Sequence, residues 1–137
     1  YEDVLRQAGV KFPAAAKPIP IVGIVDQEGV VGTAREDQWA DRPALGDIEA
    51  AALRIQAPGD PMDGWVVYFV PGTRVNPDAV GRFSVVRKVG KREALFLGVL
   101  NRGYEQGKWN ITGLKGRLTA EGMSVAWAAP VLWVRTT

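Results

Sequence analysis

The sequence predicts a mostly β protein, a barrel or sandwich of short strands with one short helix at the N-terminus. Two patterns favour this fold class. Short runs rich in β-branched and aromatic residues recur from residue 21 onward, and Gly, Pro and Asn turn residues separate them about every eight to twelve residues. With 137 residues, 47% of them hydrophobic, the chain is long enough for one domain with a buried core.

The N-terminal segment predicts a helix followed by a linker. Val4, Leu5 and Ala8 have helical spacing, and Gly9 suits the end of a helix. Three prolines and a run of three alanines between residues 10 and 20 indicate an extended linker. We therefore divide the chain into residues 1–17, a helix and linker, and residues 18–137, the main domain.

The strands of the main domain are predicted from their β-branched and aromatic runs. They cover residues 22–25, 30–31, 52–56, 65–70, 82–89, 94–100, 108–111 and 123–135. Residues 82–100 read as a β-hairpin with its turn at Gly90. In the last strand Pro130 lacks an amide proton and so marks a bulge or an edge. An unbroken strand would place Trp127, Val131 and Trp133 on one face.

Composition excludes several kinds of chemistry. The chain has no cysteine and no histidine, which removes disulfides, thiolate metal sites, His-based catalysis and ordinary zinc sites. Lys and Arg number 17 against 15 Asp and Glu, a net charge of +2, and the basic residues are spread over strand faces and turns, with a phosphate-contacting face as the alternative. No apolar run is long enough to span a membrane and no signal segment is visible. We expect a cytoplasmic protein with no membrane partner, no metal and no cofactor.

The loop between the third and fourth predicted strands carries the most distinctive motif. Gly59-Asp60-Pro61-Met62 resembles the nucleophile loop of the LexA-like and phage-repressor-like self-cleaving Ser/Lys peptidases, which reads Gly, any residue, Ser, Met. Pro61 stands where that family has serine, and proline has no nucleophilic group. In the strand of residues 93–100, the resemblance places Gly98 at the position of the family's lysine base.

A third position departs from the family in the same direction. Residues 19–25 resemble the strand that leads into the family's internal cleavage segment. That segment carries an Ala-Gly or Cys-Gly bond, whereas this chain has Glu28-Gly29. Nucleophile, base and scissile pair are therefore all replaced, and the resemblance implies a degenerate peptidase that is not an enzyme.

The resemblance implies a LexA- or signal-peptidase-like β fold that serves as the regulatory and dimerisation domain of a helix-turn-helix transcription regulator. DNA would be bound by a tethered N-terminal domain outside this chain. The family's C-terminal strand forms a homodimer seam, which here corresponds to Val131, Trp133 and Arg135. An unknown ligand or protein partner would occupy the degenerate cleft, where the missing lysine side chain leaves volume. The candidate cleft residues are Asp60, Met62, Tyr104 and Trp109.

Each of these features has an alternative interpretation. Tyr104 and Trp109 suit a hairpin loop that covers the core, or a stacking platform for single-stranded nucleic acid. Asp60 and Asp63 suit turn stabilisation, or a cation or acid–base site. Trp127 and Trp133 would pack in the core as readily as in a dimer.

Two function classes also remain open beside the regulator. One is a hydrolase with an unorthodox site, and the other is a free-standing β-barrel that binds single-stranded nucleic acid. For a hydrolase, Ser84 and Lys88 share a strand face but lie roughly 13 Å apart, and Ser124 has no lysine near it in sequence.

Overall fold

The chain folds into a mostly β structure, which confirms the predicted fold class. A computed structural model describes residues 18–34, 38–41, 49–89 and 94–136. The predicted helix and linker of residues 1–17, and the tip of the predicted hairpin at residues 90–93, lie outside these ranges.

A 3₁₀ turn, Pro77–Ala79, is capped by the Asn76 side chain. The strands are β1 (Ile19–Val25), β2 (Val30–Thr33), β3 (Trp39–Ala40), β4 (Ala51–Ile55), β5 (Val66–Phe69), β6 (Phe83–Lys88), β7 (Ala94–Arg102), β8 (Trp109–Thr112), β9 (Leu118–Met123), β10 (Val125–Pro130) and β11 (Trp133–Arg135).

The strands form one curled sheet, a half-barrel. Its order is β10-β6-β7-β2-β1-β4-β5-β11, with β3 paired to β1 and with β8 and β9 extending from β7. β1 is parallel to β4, and the other pairs are antiparallel. Between β10 and β11, the Val131 N–H donates to the Phe83 carbonyl (3.0 Å) and the Leu132 N–H to the Tyr68 carbonyl (2.8 Å). The C-terminal segment therefore joins the two ends of the strand order.

The core consists of three groups of apolar side chains. Successive side chains along each strand point to opposite faces of the sheet, so the groups lie on different faces. The central cluster lies between β4, β5, β6 and β7 and includes Val25, Leu53, Ile55, Val67, Phe69, Val85 and Leu97. The hairpin cluster lies under β8 and β9 and includes Ala79, Val86, Phe96, Leu100, Ile111, Met123 and Ala128. The rim cluster lies on the opposite face of β1, β4 and β5 and comprises Ile19, Ile21, Ala40, Ala52, Val66 and Tyr68.

The structure differs from the predicted strands in three places. β3 and β9 were not predicted, because β3 has two residues and the one buried residue of β9 is Met123. The predicted strand over residues 123–135 breaks after Pro130. Trp127 and Val131 pack against the central cluster, whereas Trp133 is 45% exposed. Because the predicted strand is broken, Trp127, Val131 and Trp133 do not form one face of a single strand.

In the part of the chain that the structure describes, no helix has the length and hydrophobicity needed to cross a bilayer.

Candidate functional site

The loop whose sequence resembles a nucleophile motif, Gly59-Asp60-Pro61-Met62, closes the hairpin between β4 and β5. The Gly64 N–H donates to the Ile55 carbonyl, and the Ile55 N–H donates to the Trp65 carbonyl, both at 2.8 Å. Within the loop, the Asp60 N–H donates to the Ala57 carbonyl at 2.9 Å. The loop is therefore a tight, hydrogen-bonded connection between two buried strands.

The two aspartates of this loop bind its own backbone. Asp60 Oδ1 accepts from the Met62 N–H at 2.8 Å, and Asp63 Oδ1 accepts from the Ala57 N–H at 2.9 Å. Side-chain to backbone bonds of this kind are how Asp stabilises turns. Among the described residues no group of three or more acidic side chains is placed to hold a metal ion. The geometry favours the turn interpretation of Asp60 and Asp63 over a cation or acid–base site.

Pro61 and Met62 have different surroundings. Met62 is half-buried against the central cluster, while Pro61 is exposed. The loop thus attaches to the core through Met62, and the position where the family has its serine faces solvent.

Gly98 has no space beside it for a side chain. It lies on β7 opposite Ser84 of β6, and a Cβ at this position would collide with the Thr112 carbonyl oxygen and lie 2.9 Å from Ile111 Cγ2. Both contacts come from β8, which approaches β7 closely because residue 98 is glycine. The volume expected from a missing lysine is absent here, so that part of the sequence interpretation is wrong.

The Glu28-Gly29 peptide group lies beside β7. Gly29 occupies the turn between β1 and β2 with φ of 86°, and its carbonyl accepts from the Leu97 N–H at 2.8 Å. The Glu28 carbonyl accepts from Thr119 Oγ1 at 2.7 Å. The structure therefore places Glu28-Gly29, which the resemblance aligns with a scissile bond, beside Leu97, the residue before Gly98. Both of its carbonyls are hydrogen-bonded.

Tyr104 and Trp109 do not join Asp60 and Met62. Tyr104 is fully exposed in the connection from β7 to β8. Trp109 packs against the hairpin cluster, and the Arg102 guanidinium lies 5.7 Å from its ring centroid, in cation–π range. With one face covered by Arg102 and the ring partly buried, Trp109 offers little surface on which a nucleic-acid base could stack.

A Ser–Lys contact appears where the sequence indicated none. Lys108 Nζ lies 2.8 Å from Ser124 Oγ, and both residues are half-buried. They are 16 residues apart in sequence, and the β8–β9 hairpin brings them together. Only the pairing register, Trp109 opposite Met123, would have revealed this contact. The other serine, Ser84, is fully buried and within 3.0 Å of two backbone carbonyl oxygens, which makes it structural.

The candidate dimer residues lie on the C-terminal segment but not in equivalent environments. Val131 packs against the central cluster, so it belongs to the core. Trp133 is 45% exposed, and Arg135 forms a salt bridge with Asp41 of the same chain at 2.9 Å. Leu132 and Val134, which the sequence analysis did not select, are also exposed, at 43% and 36%.

Tyr68, the partner of Trp133 in the β11–β5 pair, links this edge to the rim cluster. Its hydroxyl donates to the Asp41 carbonyl at 2.7 Å. Burial raises the pKa of the Tyr68 phenol above its usual value of 10.0, Arg135 opposes the rise, and the Asp41 carboxylate adds to it.

No protein-family model matches this chain, and a search of curated proteins finds no match to it.

Proposed function

We propose that this chain is the regulatory and dimerisation domain of a transcription regulator related to the LexA-like and phage-repressor-like families, and that it does not cleave itself. The DNA-binding domain would lie outside the chain, and the regulator would act in the cytoplasm as a homodimer. The observation that carries this proposal is the apolar, exposed strand β11. Trp133 and Val134 of β11 and Leu132 just before it are exposed, at one end of the strand order.

The backbone of β11 has hydrogen-bonding capacity on its outer side. Ile55 and Trp65 form a hydrogen-bonded pair, so alternation directs the backbone groups of Val66 and Tyr68 away from β4 and toward β11. Trp133 and Arg135, which face Tyr68 and Val66, therefore bond to β5, and the N–H and C=O groups of Val134 point away from β5. No described strand pairs with that side of β11. By contrast, the outer side of β10 is bonded to the 74–76 segment, since the Ala128 N–H donates to the Arg74 carbonyl. An open, apolar edge is a surface that proteins usually pair or protect.

A second copy of the chain fits this edge by antiparallel pairing about a two-fold axis at Val134. Val134 would then face its own equivalent in a hydrogen-bonded pair, and Trp133 would face Arg135 of the other copy in a non-hydrogen-bonded pair. The exposed side chains of Leu132, Trp133 and Val134 would be removed from water. Burial of an aromatic and two aliphatic side chains is a typical contribution to a dimer interface.

The arrangement around the degenerate positions supports the absence of self-cleavage. Glu28-Gly29 lies beside β7 next to Gly98, and Met62 packs on the central cluster that contains Leu97. Glu28-Gly29 and Gly98 are thus neighbours, whereas Pro61 is exposed and its loop reaches the same cluster through Met62. Pro61 has no hydroxyl, and β8 leaves no room for a lysine at residue 98. Control would therefore depend on dimerisation, which raises the effective concentration of a second tethered DNA-binding domain at its half-site.

Sedimentation equilibrium of the 137-residue chain tests the dimer. We expect a dimer mass for the native chain. Trp133→Lys should shift the chain to monomer, because it removes the aromatic ring and places a like charge opposite the other copy's Arg135. Trp133→Glu loses the same ring but faces Arg135 with opposite charge, so it should dimerise more tightly than Trp133→Lys.

Leu118→Lys is the matched control for this experiment. Leu118 is 54% exposed and lies on β9, which is also unpaired on one side among the described strands. We expect it to leave the dimer intact. A native chain that stays monomeric, or a Leu118→Lys variant that dissociates as much as Trp133→Lys, would reject the proposed interface.

The contact between Lys108 Nζ and Ser124 Oγ favours a hydrolase as the second candidate function. In that case an unprotonated Lys108 amine would take the Ser124 hydroxyl proton while Oγ attacks the carbonyl carbon of a peptide bond. The Lys108 ammonium would return this proton to the leaving amine, and water would then hydrolyse the ester and restore the Ser124 hydroxyl. Incubation of the chain at alkaline pH followed by intact-mass measurement separates the candidates. The regulator proposal expects an unchanged mass. Scission within residues 25–32 that is lost in both Ser124→Ala and Lys108→Met would establish the hydrolase instead.

A further inference from the structure

A cleft on the sheet face opposite the central cluster holds a half-buried arginine. The cleft has a volume of about 540 Å³ and is lined by β1, β2, β4 and the residues that follow β1 and precede β3. That volume lies within the range of about 300–1,000 Å³ that is typical of small-molecule sites. The lining residues used below are Ile24, Asp26, Val30, Gly32, Gln38 and Arg54.

Strand register explains why Arg54 points into this cleft. Leu53 and Ile55 face the central cluster, so alternation directs Arg54 to the opposite face. There it lies beside Ile24 of β1, which in turn pairs with Gly32 of β2. The three residues form one row across the floor of the cleft.

Arg54 is oriented but not neutralised by its neighbours. Its Nη1 donates to Gln38 Oε1 at 3.2 Å, and the described residues contain no carboxylate in an ion pair with it. Arg135, in contrast, is paired with Asp41. A guanidinium has five N–H donors in a planar fork that matches a carboxylate. Arg54 therefore retains free donors inside a partly apolar cleft.

The other lining groups indicate which anion fits. Ile24 and Val30 are half-buried and supply an apolar floor. Asp26 lies in the same cleft, and its Oδ1 accepts from the N–H groups of Glu28 (2.9 Å) and Val30 (3.0 Å). Its negative charge disfavours a dianion such as phosphate. A single negative charge attached to a small apolar body is the better match.

Gly32 keeps the cleft open. A Cβ at this position would meet only one neighbouring atom, the Ile24 carbonyl oxygen at 3.8 Å. The backbone there carries no positive φ that would strain another residue. A larger side chain at residue 32 would therefore occupy the space over Ile24 and Arg54.

We propose that this cleft binds a small organic monocarboxylate, with the carboxylate on Arg54 and its apolar body on Ile24 and Val30. The inference goes beyond the proposed function, because it assigns a ligand class to a site that is separate from the degenerate loop and from β11. Binding in this cleft does not require DNA or a dimer. A negative result for ligand binding and a negative result for dimerisation can therefore be told apart.

Amide-resolved NMR titration of the 137-residue chain tests the site, with isocaproate, its neutral amide isocaproamide and inorganic phosphate as probes. We expect isocaproate to give saturable shifts at Ile24, Gly32 and Arg54. Isocaproamide and phosphate should each bind at least about tenfold more weakly, because one lacks the charge and the other is repelled by Asp26. Equal binding of the amide, or tighter binding of phosphate at these residues, would reject a monocarboxylate site.

Variants locate the binding. Arg54→Gln should weaken isocaproate at least about tenfold, Arg54→Lys less than that because it keeps the charge and loses the fork, and Gly32→Leu should block binding by filling the cleft. Arg74→Gln, an exposed arginine outside the cleft, is the matched control and should bind normally. Unchanged affinity in both Arg54 variants, or no saturable shift in the native chain, would overturn the proposal.

Discussion

Gly98 shows at the residue scale where the resemblance and the structure diverge. A motif comparison treats glycine in the lysine position as a deleted side chain and expects empty space. In the structure the space is filled, because β8 lies against the backbone of β7 at Thr112 and Ile111. Residue 98 is therefore a packing position, and restoring a lysine there would require β8 to move.

Substitution of Gly98 tests this packing. Gly98→Ala should lower the free energy of unfolding by about 1–3 kcal/mol, because a Cβ overpacks the β7–β8 contact. Urea denaturation of the two variants measures the effect. Gly32→Ala is the matched control on β2, where a Cβ would make one ordinary contact, with the Ile24 carbonyl oxygen at 3.8 Å, and should change stability by no more than about 0.5 kcal/mol. Similar costs for the two variants would mean that β8 does not constrain residue 98.

Tyr68 provides a pH-dependent test at the same scale. Burial raises the pKa of its phenol, so the folded state favours the neutral form. The stability from this group is fully present below about pH 10 and is lost as the pH rises through the higher pKa of the folded state. The phenol also donates to the Asp41 carbonyl.

Tyr68→Phe separates these two contributions. At pH 7 it should cost about 1 kcal/mol for the lost hydrogen bond. Between about pH 10 and 11 its stability should fall less than that of the native chain, since it has no buried phenol to ionise. Denaturant unfolding at a series of pH values measures both effects. Parallel pH profiles of the two chains would show that Tyr68 does not titrate with folding.

At the scale of elements, the sequence predicted the strands in which apolar residues are buried, either at every second position or in a continuous run. β4, β5, β6 and β7 form as expected because their side chains face the central and hairpin clusters. β9 was not predictable, since its residues Leu118–Met123 are mostly exposed or half-buried and its pairing with β8 depends on the neighbouring strand. The same dependence hid the Lys108–Ser124 contact, which exists only in the β8–β9 register.

The C-terminal segment shows a further limit at this scale. The sequence predicted one strand over residues 123–135, with its tryptophans on one face if the strand were unbroken. The structure instead pairs β10 with β6 and β11 with β5, and Pro130 ends β10. Trp127 stacks on Phe69 with ring centroids 6.1 Å apart, whereas Trp133 stays exposed. The alternation of residues in the C-terminal segment does not specify that its first part pairs with β6 and its last part with β5.

For the whole molecule, the curled sheet places the three candidate surfaces apart. The degenerate loop attaches to the central cluster through Met62, the Arg54 cleft lies on the opposite face, and β11 is an edge. The loop motif and the C-terminal apolar strand were visible in the sequence. The cleft was not, because it depends on how β2, β1 and β4 align Gly32, Ile24 and Arg54 in one row.

In the proposed dimer β11 pairs with β11 of a second copy. The chain has no cysteine, so single cysteines report contacts without interference. In the antiparallel pair Val134 faces its own equivalent at a hydrogen-bonded position, with Cα atoms about 5.5 Å apart, within the range of about 4.4–6.8 Å that a disulfide spans.

Intact-mass measurement of Val134→Cys and Leu118→Cys after mild oxidation, without reductant, tests this pairing most directly. We expect Val134→Cys to become a disulfide-linked dimer and Leu118→Cys, more exposed in the native chain, to remain a monomer. Equal crosslinking of the two variants, or an uncrosslinked Val134→Cys chain at concentrations where it sediments as a dimer, would contradict the account.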